Sequence, residues 1–146
     1  MSDVPAPAAP SIPQALGRLR VALNNSFSTA SREAGLTPQQ AELLCYALTP
    51  RSIGELAGLL HCDRSNVSHL VDRASNRGLL LRRPGDDDAR VSMIELTDSG
   101  RALASDFMRR LDDLTLELRQ AWTPRHATTA TNILTEIAET LETRTI

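Results

Sequence analysis

Apolar residues recur three or four positions apart along most of this chain, which is the spacing of one face of an α-helix. A first run begins near Ile12 and ends near Gly35. A second follows Thr37-Pro38-Gln39-Gln40, a sequence typical of a helix start because it offers a threonine cap, a proline and a glutamine that can cap in return. Two shorter helices are predicted next. The capping box Ser52-Ile53-Gly54-Glu55 opens the first, which continues to about Leu60, and the second lies in the stretch Cys62–Gly78, where Asp63 can be its cap. The pattern therefore predicts a mainly helical chain.

The segment 64–77 has two faces of different chemistry. One face is apolar at positions i, i+3, i+4 and i+7, and it consists of Val67, Leu70, Val71 and Ala74. The opposite face carries short polar side chains and few carboxylates, from Ser65, Ser68, His69, Asp72, Arg73 and Asn76. Such a face suits base edges and phosphates in a major groove. The alternative interpretation is an ordinary solvated helix face.

The pattern changes after Gly78. Residues 79–83 predict a strand that ends at Pro84-Gly85, and residues 91–96 predict the strand that returns after a turn-rich segment. Two short helices joined by a tight turn and followed by a hairpin make a winged helix-turn-helix. The hairpin over 79–96 is the wing of this predicted unit.

Longer helices are predicted on both sides of the winged unit. Two begin at Thr97 and Thr123, and together with the first helix they carry apolar stripes that a small winged core cannot cover. We expect these three helices to pack together and against a second copy of the chain, as a homodimer. The predicted fold class is mainly α (α+β), a winged helix-turn-helix with a three-helix terminal dimerisation region. The predicted domains are a disordered tail over 1–11, an N-terminal dimerisation helix over 12–34, a DNA-binding lobe over 35–97 and C-terminal dimerisation helices over 98–146.

Composition adds a local charge asymmetry to this pattern. The chain has 146 residues, a formal net charge of −2 and only 3% aromatic residues, so an aliphatic core is expected. All 16 of its basic residues are arginine. Five arginines and one acid lie between Arg64 and Arg83, a local balance of +4, which favours a polyanion as the partner of this surface. Neither a signal peptide nor a membrane-spanning stretch is recognisable, and a soluble cytoplasmic protein is predicted.

A series of short motifs keeps its order and spacing over residues 35–101, in Leu36-Thr37-Pro38-Gln39-Gln40, Glu55-Leu56-Ala57, residues 63–73, Arg77-Gly78-Leu79, Arg82-Arg83-Pro84, Asp88-Ala89-Arg90 and Leu96-Thr97-Asp98-Ser99-Gly100-Arg101. In these motifs the chain resembles the MarR family of bacterial transcription regulators. The resemblance implies a homodimeric regulator, usually a repressor, that binds a pseudo-palindromic operator in double-stranded DNA. It also implies control by a small-molecule effector, frequently a phenolic anion, bound between the DNA-binding lobe and the dimer helices.

The predicted DNA-binding residues lie on the second short helix, next to it and in the wing. Base-edge contacts are predicted for Ser65, Asn66, Ser68 and His69. Phosphate contacts are predicted for Ser52, Arg73 and Arg77, with Arg64 and Arg83 in the same basic set. The resemblance implies that Arg90 of the wing enters the minor groove and that Asp88 helps to hold it. Asp72 is expected to brace Arg73 or another arginine rather than to meet DNA.

Two departures from the family pattern concern the wing. Ala89 stands where the family often has a further arginine, and residues 86–88 are three consecutive aspartates. An acidic tip would repel DNA unless Arg83 and Arg90 screen it. This tip supports the main alternative function, a winged-helix protein-interaction adaptor without DNA binding.

Thiol chemistry gives a second alternative. Cys62 precedes a helix N-terminus and lies near Arg64, a setting that can lower the pKa of a thiol, so the second alternative is a thiol-based redox-sensing regulator. A small packed turn residue is the plainer interpretation of Cys62. Cys45 lies on the apolar side of its helix, where inert packing is expected.

Other chemistry is not predicted. The histidines are scattered, so no metal site is expected, and no catalytic or phosphate-loop motif or cofactor is indicated. The chain is therefore predicted not to be an enzyme. An effector pocket has no sequence motif, and its only candidates are Tyr46, Trp122 and Arg18, with core packing expected for the first two.

Overall fold

The computed structural model describes residues 10–85 and 90–143. Within them, six helices and three strands follow one another as α1 (Ile12–Glu33), α2 (Pro38–Tyr46), β1 (Arg51–Ser52), α3 (Ile53–Leu59), α4 (Arg64–Asn76), β2 (Leu80–Pro84), β3 (Ser92–Leu96), α5 (Asp98–Ala121) and α6 (Pro124–Glu142). The chain divides into two compact units, Met1–Arg109 and Arg110–Ile146. The mainly helical class with a winged helix-turn-helix is confirmed, whereas the predicted domain limits remain predictions.

The predicted helix starts are confirmed by their caps. The side chain of Thr37 accepts a hydrogen bond from the backbone N–H of Gln40 at 3.2 Å, and Gln40 Oε1 accepts one from Thr37 N–H at 3.1 Å. Asp63 Oδ1 accepts from the Asn66 N–H at 2.8 Å and opens α4. Each cap satisfies an N–H group that has no partner inside the helix and contributes about 1 kcal/mol.

The sheet has three antiparallel strands in the order β1-β3-β2. In the wing, Leu80 pairs with Leu96 and Pro84 with Ser92, so both predicted strands are present and each begins one residue later than predicted. The strand β1 was not predicted, because two residues are too few to show an alternating pattern. It pairs Arg51 with Ile94 and thereby fixes the start of α3 against the wing.

The core of the first unit is mainly aliphatic, as the composition predicts. Fully buried side chains come from α2, α3, α4 and β3, and include Leu43, Leu44, Leu56, Val67, Val71 and Ile94. Phe107 of α5 is also fully buried, and its ring meets that of Phe27 of α1 edge to face, with 4.9 Å between the centroids. This aromatic pair joins α1 to the first half of α5.

Most of the predicted N-terminal tail lies outside the described residues. Of 1–11, the structure describes Pro10 and Ser11, and Ser11 is the N-cap of α1, with its N–H donated to Gln14 Oε1 at 2.9 Å. No helix within 10–85 or 90–143 is long and apolar enough to cross a membrane.

Candidate nucleic-acid interface

Helix α4 has one buried and one exposed face, as its sequence predicts. Val67 and Val71 are fully buried, and Leu70 and Ala74 are nearly so. The exposed residues on the other side include Ser65, Asn66, His69 and Arg73, and Ser68 is half-buried. The apolar stripe packs α4 against the core, so the polar face is presented outwards on a helix of fixed position.

At the start of α4, two of the predicted contact residues, Arg64 and Asn66, are positioned by their neighbours. Asn66 donates its side-chain amide to Asp63 Oδ2 at 3.0 Å, which orients the amide at the helix start. The guanidinium of Arg64 lies against Gly54, where a Cβ would come within 3.2 Å of Arg64 Nη2. A larger residue at 54 would displace this guanidinium, so the lack of a side chain at Gly54 leaves the room that it occupies.

Ser52 forms, with Glu55, the capping box that the sequence Ser52-Ile53-Gly54-Glu55 predicts. Its hydroxyl donates to Glu55 Oε2 at 2.8 Å and accepts from the Glu55 N–H at 3.2 Å. The Ser52 backbone N–H also donates to this carboxylate, and these hydrogen bonds lower the pKa of Glu55. A phosphate contact from Ser52 remains a prediction, and it would have to share the hydroxyl with this capping box.

The wing is joined to α4 by an ion pair. Arg82 of β2 donates from Nη2 to Asp72 Oδ1 at 2.6 Å, and the same nitrogen lies 3.5 Å from Ser68 Oγ. Asp72 thus braces an arginine as predicted, and the partner is Arg82 of the wing. Sequence reasoning left Arg82 out of the DNA-binding set. Neighbouring residues of a strand point to opposite faces, so the pair Arg82-Arg83 already implied that one of the two turns towards α4.

An open cleft of about 230 Å³ lies on the wing. Its lining contains three arginines and consists of Arg82, Arg83, Pro84, Arg90 and Ser92. Arg83 also forms an ion pair with Glu95 of the neighbouring strand. Asp88, the predicted partner of Arg90, lies outside the described residues, as does the rest of the acidic run. The concentration of arginine in one cleft makes it suited to an anion of phosphate size.

Arg77 lies at the other end of α4 and faces the protein. Its Nη1 donates to Gln40 Oε1 at 3.2 Å and its Nη2 to the Gly35 carbonyl at 3.1 Å. The sequence signals only an exposed arginine here, because the two acceptors are 37 and 42 positions away along the chain.

The cysteines and the effector candidates have unremarkable surroundings. Cys45 and Cys62 are both half-buried free thiols. Burial, aided by the charge of Glu42, raises the pKa of the Cys45 thiol. Tyr46 and Trp122 are 37% and 38% exposed, so the expectation that they pack in the core was wrong for both. In the part of the chain that the structure describes, no three His, Cys, Asp or Glu side chains form a group that could hold a metal ion.

Comparison with known proteins gives structural matches. No protein-family model and no curated protein sequence matches the chain. The transcriptional repressor CouR, solved bound to a 23-mer DNA duplex, is 27% identical with a TM-score of 0.69, over 88% of this chain and 92% of that one. CouR from Rhodococcus jostii RHA1, solved with p-coumaroyl-CoA, matches at 24% identity and a TM-score of 0.72 over the same shares of the two chains, 88% and 92%. The MarR family transcription regulator SP03579 matches at 20% identity and a TM-score of 0.75, over 88% and 89% of the two chains.

The fold and the polar helix define a winged helix-turn-helix protein. The structural matches confirm the predicted resemblance to the MarR family, and the chain has the fold of MarR-family transcription regulators. These neighbours are transcription regulators rather than enzymes, in agreement with the prediction that the chain is not an enzyme.

Proposed function

We propose that the chain is a sequence-specific DNA-binding transcription regulator. The observation that carries the proposal is α4, a helix with four buried or nearly buried apolar residues on one face and exposed polar residues on the other, beside a wing rich in arginine. A helix of this kind fits the major groove, and a hairpin beside it reaches the backbone and the minor groove. The DNA-bound state of CouR, a 27% identical protein, supports this assignment.

We assign different contacts to α4 and to the wing. Ser65, Asn66, Ser68 and His69 lie in the first half of α4 and would contact base edges. Arg64 and Arg73 would contact phosphates, and Arg90 would enter the minor groove from the wing. The ion pair between Arg82 and Asp72 would hold the wing beside α4 before DNA is bound.

The proposed regulator acts as a homodimer. Large apolar side chains remain exposed on α1, α5 and α6, including Ile12 at 73%, Leu23 at 57%, Leu114 at 49%, Ile133 at 52% and Leu141 at 54%. Helix α6, which is described throughout, has no buried residue. Apolar surface of this extent on terminal helices is typical of a subunit interface. A dimer would place two copies of α4 about one turn of DNA apart, roughly 34 Å.

The regulator is further proposed to respond to a small effector, usually by releasing DNA, as a repressor does. CouR, which shares the fold, has been solved with p-coumaroyl-CoA. Occupancy of a pocket beside the dimer helices would change the spacing of the two recognition helices and thereby the DNA affinity. A test is DNA binding with and without 4-hydroxybenzoate as a phenolic probe, and an unchanged affinity at millimolar probe would exclude this phenolic acid as effector.

The DNA-binding proposal is tested by selection from a random duplex library with the full chain. We expect a pseudo-palindromic sequence to be enriched and to bind more tightly than a shuffled duplex. His69→Ala should reduce this discrimination, whereas Arg125→Ala on α6 removes a charge elsewhere and should not. If no sequence is enriched and both duplexes bind equally weakly, the protein-interaction adaptor becomes the better hypothesis.

The homodimer is tested separately by light scattering. The expected mass is twice the 15.9 kDa of the chain, and Leu23→Glu in α1 should lower it towards one chain. Leu81→Glu, which changes an exposed wing residue in the same way, is the control and should leave the mass unchanged. A wild-type mass of one chain at micromolar concentration would contradict the dimer.

A further inference from the structure

The C-terminal end of α4 is connected to the junction of α1 and α2 by one side chain. Arg77 follows the last residue of α4, and its two terminal nitrogens donate to acceptors on different elements, Gln40 Oε1 at the start of α2 and the Gly35 carbonyl just after α1. The two bonds measure 3.2 and 3.1 Å. A planar guanidinium that bridges two acceptors fixes direction as well as distance.

Both acceptors are held in place by other bonds. Gln40 Oε1 also accepts the Thr37 N–H at 3.1 Å, so its position is set by the capping box of α2. Gly35 has φ +70°, a left-handed conformation that ends α1 and favours glycine, and its N–H is donated to the Arg32 carbonyl at 3.0 Å. Arg77 therefore connects α4 to the first turn of α2 and to the turn that follows α1, and both acceptor residues are held by hydrogen bonds of their own.

The position of Arg77 along α4 also separates it from the proposed base contacts. Helix α4 has 13 residues, and at 1.5 Å per residue its two ends are about 20 Å apart. Ser65 and Asn66 lie at the first end and Arg77 lies at the second. Contact with DNA at the first end does not require the second end to touch phosphate.

We infer that Arg77 is a positioning residue that sets the angle of the recognition helix α4 relative to α1, and that it is not a phosphate contact. The inference rests on the proposed function, because it assigns α4 to DNA and α1 to the dimer interface. A change in this angle would alter the spacing of the two recognition helices in a dimer, and DNA affinity would change without the loss of any contact to DNA.

The salt dependence of DNA binding distinguishes the two roles of Arg77. Affinity for the duplex selected with the wild-type chain is measured at several salt concentrations for Arg77→Met, which keeps the aliphatic stem, and for Arg77→Lys, which keeps the charge. For a positioning residue both variants lose about tenfold in affinity, a typical size for the coupling between a remote site and a binding site. The slope of log K against log salt then stays at the wild-type value, because no phosphate contact is lost.

A phosphate contact gives a different result and would overturn the inference. The slope for Arg77→Met would then become less negative by about 0.9, and Arg77→Lys would bind almost as the wild type does. Wild-type affinity and slope in both variants would also overturn the inference, because Arg77 would then neither position α4 nor contact a phosphate.

Gln40 supplies a test that leaves the arginine untouched. Gln40→Met removes one acceptor and should lower affinity at an unchanged slope, whereas Gln40→Glu keeps both the acceptor and the cap and should bind as the wild type does. Thr37→Val removes the hydroxyl half of the same capping box, leaves Gln40 Oε1 in place, and controls for a weakened cap. We call the connection that Arg77 makes from α4 to Gln40 and Gly35 the tether. Equal losses of DNA affinity in Thr37→Val and Gln40→Met would contradict the tether, because a weakened cap of α2 would then explain both losses.

A result that contradicts the role of Arg77 can be distinguished from one that contradicts the proposed function. If the wild-type chain selects no duplex, the proposed function fails. Urea unfolding of Arg77→Met, Gln40→Met and the double variant still shows whether the two residues are coupled, because coupled residues give a double variant that is less destabilised than the sum of the single ones. Additive losses would show that the tether itself is absent in solution.

Discussion

Gly100 is a residue at which the structure predicts a large effect of one added methyl group. It is the third residue of α5, and the backbone there runs against the turn between α4 and β2. A Cβ built on Gly100 would lie 2.0 Å from the carbonyl oxygen of Leu79 and 2.9 Å from its carbonyl carbon. Real Cβ contacts are essentially never shorter than 3.0 Å, so Gly100→Ala requires a displacement of about 1 Å.

The neighbouring backbone has little freedom to make this displacement. The Leu79 carbonyl accepts a hydrogen bond from Thr97 N–H at 3.1 Å, and the Leu79 N–H is donated to the Ala74 carbonyl at 3.0 Å. An overpacked site of this kind costs about 1–3 kcal/mol, and a lost backbone hydrogen bond adds about 1 kcal/mol. We therefore expect Gly100→Ala to lower the free energy of unfolding by about 3 kcal/mol.

The measurement is urea unfolding and thermal denaturation of Gly100→Ala beside Gly58→Ala. Gly58 lies in α3 with nothing within 4 Å of a built Cβ, so alanine there should be neutral or stabilising by up to about 1 kcal/mol. For Gly100→Ala the midpoint temperature should fall by about 6–12 °C. Equal stability of the two variants would refute the close approach of α5 to the wing.

Three further predictions concern the wing, the thiols and the cap of α3. Arg90→Ala should weaken binding to the selected duplex at least tenfold while thermal stability and mass stay unchanged, and an unaltered salt titration would contradict its role. Cys45 should resist a thiol reagent at neutral pH until the chain unfolds, because burial raises its pKa, and rapid labelling of the folded chain would contradict this. The pKa of Glu55 is lowered, so its contribution to stability is complete above the usual glutamate pKa of about 4.3 and is lost as the pH falls through the lower folded value. Glu55→Gln should flatten the loss of stability with acid in that window, and parallel stability curves for the two proteins would show that the carboxylate is not bonded in solution.

What could be predicted from this sequence depends on how far apart the interacting residues are. The capping boxes at Thr37 and Ser52 are contacts between residues three positions apart, so the residue types at these positions are enough to predict them. The two faces of α4 follow from helical spacing in the same way. The motif around Gly100 belongs to the family resemblance, but the reason for a glycine there is the backbone of Leu79, which local sequence does not place beside it.

Contacts between distant residues could not be predicted from local patterns. Arg77 and Gln40 are 37 positions apart, and neither residue type nor spacing pairs them. The strand β1 was missed because a strand of two residues is defined by its partner, β3, rather than by its own sequence. Long polar side chains such as Arg77 are therefore the residues whose roles most need a structure, since a guanidinium serves equally well as a tether and as a phosphate contact.

Two arginines of the wing are paired with carboxylates, and this pairing explains how a protein of negative net charge can bind a polyanion. The pair of Arg82 and Asp72 is solvent-accessible, with 37% and 55% of the side chains exposed. Such pairs contribute only about 0–1 kcal/mol to stability, so a DNA phosphate could replace the carboxylate at small cost. Until then the carboxylate keeps the guanidinium extended across the space between wing and helix, and Glu95 can do the same for Arg83. An arginine held in this way is ordered before DNA arrives, and less side-chain entropy is lost on binding. The net charge of −2 is therefore compatible with DNA binding, because the acids beside these arginines can serve as exchangeable partners rather than as a barrier.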